Sequence, residues 1–402
     1  MSGSGEGAES IREVLQLQLR NNFKQYAMFI ALLGIWLLFT ILTGGIFVEP
    51  RNLTNLFLQA SHIAILAVGM VLVIVAGHID LSVGSLMGFI GAIAAILQVN
   101  YGWDTPMAVL AALVVGALVG LWQGYWIAYR GIPAFIVTLA GMTMFRGALI
   151  AVTGGATIAP LRDSFRALGQ DFLPRFFTAG TRNGFHVTSA LVAIVFIIGY
   201  LLMDVRRRRA SMRYGFRVLP RGLFILKLAG ASAGIALFFS IMIFYRGVPY
   251  SILLIILLVL LYTFLTNNTV FGRHVYAIGG NREAARLSGI NIRQRTMMIF
   301  VSMGLLSALS GVVFTARLNA AAASAGNLVE LDTIAAAIIG GASTLGGEGT
   351  VFGAIIGAIL MASVNNGMSL MNLSADWQMM FRGLILLLAV WFDISSRQRS
   401  AK

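Results

Sequence analysis

Side chains able to do chemistry are few in this sequence, and their spacing excludes most of it. There is no cysteine, so neither a disulfide framework nor a thiolate metal site can form. The four histidines, His62, His78, His186 and His274, are too scattered to make a metal cluster. The three lysines are Lys24, Lys227 and Lys402, and none stands in a GxxxxGK(S/T) setting, so the phosphate-binding loop of a nucleotide hydrolase is missing. GEGTVFG at 347–353 is too loose for a dinucleotide fingerprint, and no hydrolase triad has a fitting context. The expectation is a chain with no catalytic residue, no metal and no cofactor of its own. If ATP drives it, another subunit must carry the ATPase.

What remains is polar recognition. Asp80 is the only acid between Glu49 and Asp104, and it stands in AGHIDLSVGS (76–85) with Ser82 and Ser85. A second Gly-rich stretch, GGASTLGGEGT (340–350), holds Ser343 and Thr344. Both interrupt apolar runs, and irregular backbone at membrane depth is tolerated only where protein buries it or where it lines a cavity. RNLTNL (51–56) and GNLVEL (326–331) precede the two breaks at similar distances. Either a weak internal duplication, which in transporters puts the pathway at broken helices, or chance among Gly/Ala/Ile-rich runs accounts for this. The expectation is that Asp80, Ser82, Ser85, Ser343 and Thr344 lie near the inner part of a substrate pathway, with Asn365 and Asn366 nearer its outer part. The competing reading is that these groups only cap helix ends. Arg146 lies within a span, and Glu330, Asp332, Arg317 and Arg382 lie at span ends; they are structural ion pairs or pathway groups. Gln59, Gln123, Asn365, Asn366 and Asn372 suit a polyhydroxylated ligand or interhelical hydrogen bonds equally well.

The other polar feature is the segment 266–295, TNNTVFGRHVYAIGGNREAARLSGINIRQR, with strongly apolar sequence on both sides. Its spacing predicts one short helix over 282–288, made of Arg282, Glu283, Ala284, Ala285, Arg286, Leu287 and Ser288. Asn281 is a good N-cap, and Glu283 complements the positive end of the helix dipole. Gly289 suits the left-handed residue after the helix, with Ile290 placed to pack back. Such a helix is roughly 10 Å long and cannot persist alone in water, so something must hold it. Ala284 and Ala285 leave one side nearly bare, which admits another surface at close range. Otherwise it is an ordinary capped loop.

The elements that position these groups are membrane helices. Of the 402 residues, 58% are hydrophobic and only 11% charged, against about 25% charged in soluble proteins. Apolar runs near 26–45, 59–77, 84–99, 106–128, 133–153, 187–204, 223–244, 250–266, 296–317, 332–343, 350–365 and 377–394 predict an all-α polytopic bundle of about twelve spans. The run at 332–343 is short for a straight span. The first residues lack the basic start and cleavage site of a signal peptide, so 26–45 is expected to be a retained first helix. With the N-terminus in the cytoplasm, 20 of the 29 Lys and Arg residues fall on inside loops. That asymmetry predicts an N-in, C-in topology and puts 266–295 in the cytoplasm. It also explains the net charge of +14 without nucleic acid. The run Arg206, Arg207, Arg208 and Arg209 sets topology or binds anionic lipid. The outside loop at 154–186 is expected to be an ordered cap or a docking surface. Gly116, Gly120 and Gly124 recur every fourth residue, as do Gly353 and Gly357, a spacing that lets helices approach closely in lipid.

Taken in order, IDLSVGS (79–85), PAFIVTLAGMTMFRG (133–147), YAIGGNREAARLSGIN (276–291), ELDTIAAAIIGGASTLGGEGT (330–350) and NNGMSLM (365–371) resemble the permeases of ribose- and xylose-type ABC sugar importers, over most of residues 50–394. The longer xylose-type and multiple-monosaccharide permeases are the nearer likeness, since they too carry an extra hydrophobic stretch, here at about 187–244. The resemblance implies a permease dimer in the inner membrane, two cytoplasmic ATPase domains that use ATP, and a periplasmic sugar-binding protein. It also implies that Asn281 to Gly289 couple to the ATPase. On this reading 1–25 is a cytoplasmic segment, 26–396 the permease domain with 267–295 its coupling segment, and 397–402 a cytoplasmic tail. Two alternatives stand beside it. A proton-coupled secondary sugar transporter would have to use Asp80, and a membrane receptor would leave the broken spans unexplained.

Overall fold

The computed structural model describes residues 23–176, 185–216 and 218–400. Nearly all of the expected 1–25 segment, the end of the 397–402 tail and part of the 154–186 loop lie outside the described residues. The described chain is all-helical apart from two isolated β-bridges. In order the helices are α1 (Phe23–Leu42), α2 (Pro50–Val75), α3 (Val83–Val99), α4 (Thr105–Ala128), α5 (Ala134–Thr153), α6 (Asp163–Gln170), α7 (Val187–Arg213) and α8 (Arg221–Ile243). They continue with α9 (Tyr250–Asn268), α10 (Val270–Gly280), α11 (Arg282–Leu287), α12 (Ile292–Leu318), α13 (Val329–Ile339), α14 (Val351–Leu370) and α15 (Ala375–Ser400).

Each of the twelve apolar runs falls on a helix. Among the described residues nine helices are long and apolar enough to cross a membrane: α2, α4, α5, α7, α8, α9, α12, α14 and α15. The apolar parts of α1 and α3 are shorter. The eleven residues of α13 reach only about 16 Å, roughly half of a hydrocarbon core. The 332–343 run is therefore a half-helix that ends inside the bundle.

Burial sorts these helices in a way that apolarity does not. The most apolar window of α2 is 94% buried, whereas those of α8 and α15 are 6% buried. α2 is therefore the axis of the bundle, ringed by α12, α14, α13 and α9. α7, α8 and α15 turn their side chains outward, as lipid-facing helices do. α7 and α8 form a hairpin on the flank, tied together by Lys227 Nζ on the Asp204 carboxylate at 2.8 Å and by the Arg208 guanidinium 4.4 Å over the Phe224 ring.

Glycine spacing decides how α4 meets α12. Side chains at Gly116 and Gly120 would collide with the backbone of Gly304 and Phe300, and one at Gly124 would press on Met297. The two helices therefore touch backbone to backbone, the close approach that small residues permit in lipid. Gly353 and Gly357 do the same for α14 against Gly340 and Ala336 of the α13 region.

Candidate functional site

Helix α11 is built from its ends. Asn281 Oδ1 accepts from the Ala284 amide at 2.9 Å, the N-cap bond that its side-chain length allows. At the other end the Gly289 amide donates to Arg286 O and the Ile290 amide to Ala285 O, with Gly289 at φ +80°. This pair of bonds is the Schellman arrangement and satisfies carbonyls that the helix end would otherwise strand. Glu283 and Arg286 pair across one turn, with Arg286 Nε 3.2 Å from both carboxylate oxygens. The Arg286 guanidinium holds the Glu283 carboxyl below its usual range, and the carboxylate raises Arg286 in turn.

The two alanines do not share a face. Ala285 is buried in the chain's own body and Ala284 is exposed, because inward docking of a helix this short consumes one side of it. The apolar side chain that α11 presents to its surroundings is Leu287, 78% exposed. Reading the alanines as a common bare surface is corrected accordingly: Ala285 seats the helix, and Leu287, Ala284 and the Glu283–Arg286 pair form its outer surface.

The helix is held by what precedes and follows it. α10 lies against the Val75 end of α2, where a side chain at Gly279 would overlap the carbonyl of Val75 and stand 2.5 Å from the Gly347 amide. The Gly347 amide itself donates to Val75 O at 2.8 Å, and Tyr276 Oη donates to Gly349 O at 2.7 Å. On the other flank Arg295 Nε donates to His274 Nδ1 at 3.1 Å, joining α12 to α10. The end of α2, the second Gly-rich break and α10, far apart in sequence, thus meet at one contact. Only a glycine at 279 permits that approach.

Each break is internally braced. Asp80 is buried, and its Oδ1 accepts from the Ser82 amide at 2.8 Å and the Ser82 hydroxyl at 2.7 Å; Gln123 Nε2 donates to Ser82 Oγ at 2.8 Å. In the second break Asp393 of α15 accepts from the Thr344 amide and hydroxyl, both at 3.0 Å, and from Ser343 Oγ at 3.4 Å. Asp80, Ser82, Ser343 and Thr344 are therefore engaged by the chain itself. Ser85 is also buried, and its hydroxyl has no hydrogen-bond partner among the described residues.

Asn365 and Asn366 lie elsewhere, toward the end of the bundle away from α11. Asn366 Oδ1 accepts from Asn52 at 2.9 Å, tying α14 to α2. Asn365 Nδ2 donates to Asp332 Oδ2 at 3.0 Å and its Oδ1 accepts from Arg382 Nε at 3.1 Å, while Arg382 and Asp332 pair at 3.6 Å. Asn365 and Gln59 line a cavity of about 360 Å³. Arg146 donates to Ala325 O at 2.8 Å. The structure thus divides the polar residues into a group at the breaks and a distal group around Asn365. Sequence reading missed Asp393, whose acidic type at the end of an apolar run was the available signal; it named Leu287 within the coupling helix without singling out its exposure.

The family described as branched-chain amino acid transport system / permease component matches residues 52–390. The chain belongs to this permease family. The permease is 44% identical to the xylose transport system permease protein of Escherichia coli (strain K12) over 379 residues, 94% of each chain. It is 41% identical to the xylose transport system permease protein of Haemophilus influenzae over 378 residues, 94% of the permease and 98% of that protein. The ribose import permease protein of Bacillus subtilis (strain 168) is 32% identical over 371 residues, 92% of each. No solved structure matches the permease. With nine helices among the described residues long and apolar enough to cross a membrane, it is a multi-pass protein of the cell inner membrane.

Proposed function

We propose that this chain is the membrane-spanning subunit of a binding-protein-dependent ABC importer that carries a monosaccharide, xylose or a related pentose or hexose. Two copies of the 26–396 permease unit form the membrane pore. A separate cytoplasmic ATPase hydrolyses ATP, a periplasmic sugar-binding protein delivers the substrate, and the termini and the 267–295 coupling segment face the cytoplasm.

The observation that carries this reading is α11. A six-residue helix with both caps satisfied, an exposed leucine and an exposed ion pair has the form of a plug for a groove on another subunit. Its root at Gly279 touches the end of α2 and the second break at once. Movement of the plug therefore acts on α2 and on the second break together, without an intervening chain of side chains. Sequence likeness to permeases named for xylose and ribose supports the substrate class.

The test is reconstitution in proteoliposomes with the partner ATPase and a sugar-loaded binding protein, over a panel of pentoses and hexoses. Saturable, ATP-dependent uptake of xylose or a close relative is expected. Leu287→Asp should abolish ATPase co-purification while the permease stays monodisperse. Uptake without ATP or ATPase, driven instead by a proton gradient, would overturn the reading.

A further inference from the structure

The distal cavity has a lining that ordinary helix packing does not account for. Its walls come from five separate elements: Gln59 and His62 on α2, Phe314 and Arg317 on α12, Asp332 on α13, Asn365 on α14 and Arg382 on α15. His62 and Asp332 are 7% and 2% exposed. Yet His62 Nδ1, Asp332 Oδ1 and Arg317 Nε are all buried without a hydrogen-bond partner among the described residues. Leaving one buried polar atom unmet typically costs about 1–3 kcal/mol, and native structures rarely leave several around one space. Each of the three side chains packs against a neighbour. Asp332 Oδ2 is held by Asn365 and Arg382. His62 sits edge-on to Phe314 with ring centroids 5.0 Å apart, and the Arg317 guanidinium lies 5.8 Å from the same ring. The unmet atoms are thus preorganised on rigid supports.

We propose that this cavity is a saccharide-binding station within the permease, a place where the sugar pauses on its way through; the inference rests on the sugar-importer reading above. The lining mixes acceptor (Asp332), donors (His62 Nδ1–H in one tautomer, Arg317) and two-way amides (Gln59, Asn365). That mixture suits hydroxyls, each of which gives one hydrogen and accepts others. Phe314 supplies the apolar face against which the C–H side of a pyranose ring rests. A volume of about 360 Å³ lies at the small end of ligand sites and admits one monosaccharide. Ser324, exposed on the turn before α13, stands at the mouth of the cavity.

The test uses the purified permease in lipid nanodiscs and radiolabelled xylose, with no binding protein or ATPase present. Wild type should bind xylose saturably, and unlabelled xylose should displace the label. His62→Ala and Asp332→Asn should weaken binding at least tenfold. Ser324→Trp, a change on an exposed turn that leaves the helices intact, should block the mouth and abolish binding. No saturable binding in monodisperse wild type, or wild-type affinity in all three variants, would overturn the station. The same preparations assembled with ATPase and loaded binding protein separate the two readings. Unchanged xylose uptake in all three variants removes the station and leaves the importer standing. Failure of wild type to take up any pentose or hexose removes the importer reading.

Discussion

Gly289 offers a way to test whether the shape of α11, rather than its mere presence, does the coupling. At φ +80° it occupies the left-handed region, and a Cβ placed there would meet nothing within 4 Å. A larger residue therefore has room, and any cost it brings is conformational alone. For an L-residue the left-handed conformation costs roughly 1–2 kcal/mol, most for a β-branched side chain and least for asparagine. The strain is relieved by giving up the amide bonds of Gly289 and Ile290 to Arg286 O and Ala285 O. A six-residue helix has little to spare. If the ATPase recognises the capped helix, that cost appears in docking as a five- to thirtyfold loss of affinity. The expected order is Gly289→Asn close to wild type, Gly289→Ala intermediate and Gly289→Val weakest. The assay is titration of detergent-solubilised permease with the ATPase by biolayer interferometry. Thermal unfolding should stay unchanged across the series, because Gly289 is exposed. Equal affinity for the Asn and Val variants would refute the argument, since the two differ in tolerance of positive φ and here meet the same open space.

Three further outcomes follow from contacts described above. Gly279→Ala should lower the permease's thermal stability, at the roughly 1–3 kcal/mol typical of overpacking, because its Cβ overlaps Val75 O; unchanged melting would mean that α10 slides aside freely. Asp393→Ala should loosen the second break, since it removes the acceptor of the Thr344 amide and hydroxyl; faster amide exchange confined to the 340–350 stretch is the readout. Tyr214→Cys, on an exposed turn between α7 and α8 of a cysteine-free chain, should resist an impermeant thiol reagent in intact cells and react in inverted vesicles. Labelling from outside would reverse the proposed orientation.

Much of this was legible because it is local. Asn281, Gly289 and Ile290 act within one turn of each other, so cap chemistry alone predicted α11 to within a residue. The apolar runs predicted every long helix for the same reason. Whatever depends on which side of a helix meets protein was not legible. α2 and α7 have nearly equal mean hydropathy, 2.3 and 2.2, yet their windows are 94% and 11% buried. Lipid is as apolar as a leucine-lined interior, so hydropathy does not separate the axis from the rim. The same blindness paired Ala284 with Ala285 and left the exposure of Leu287 undistinguished from that of its neighbours. The distal cavity draws on positions from 59 to 382, and only the packing of five helices makes neighbours of them. Asn365 was marked by its type alone, and His62 carried no mark at all.

The placement of α2 has a mechanical side. From His62 to Val75 it runs fourteen residues, about 20 Å, as unbroken helix inside protein. One end borders the distal cavity, and the other carries the carbonyl that Gly347 and Gly279 abut. Such a helix behaves as a stiff piston: it can shift or tilt, but it shortens only by breaking its own hydrogen bonds. A displacement of a fraction of an ångström at Val75 therefore arrives at His62 nearly undiminished, with the close-packed α12 and α14 serving as its sleeve.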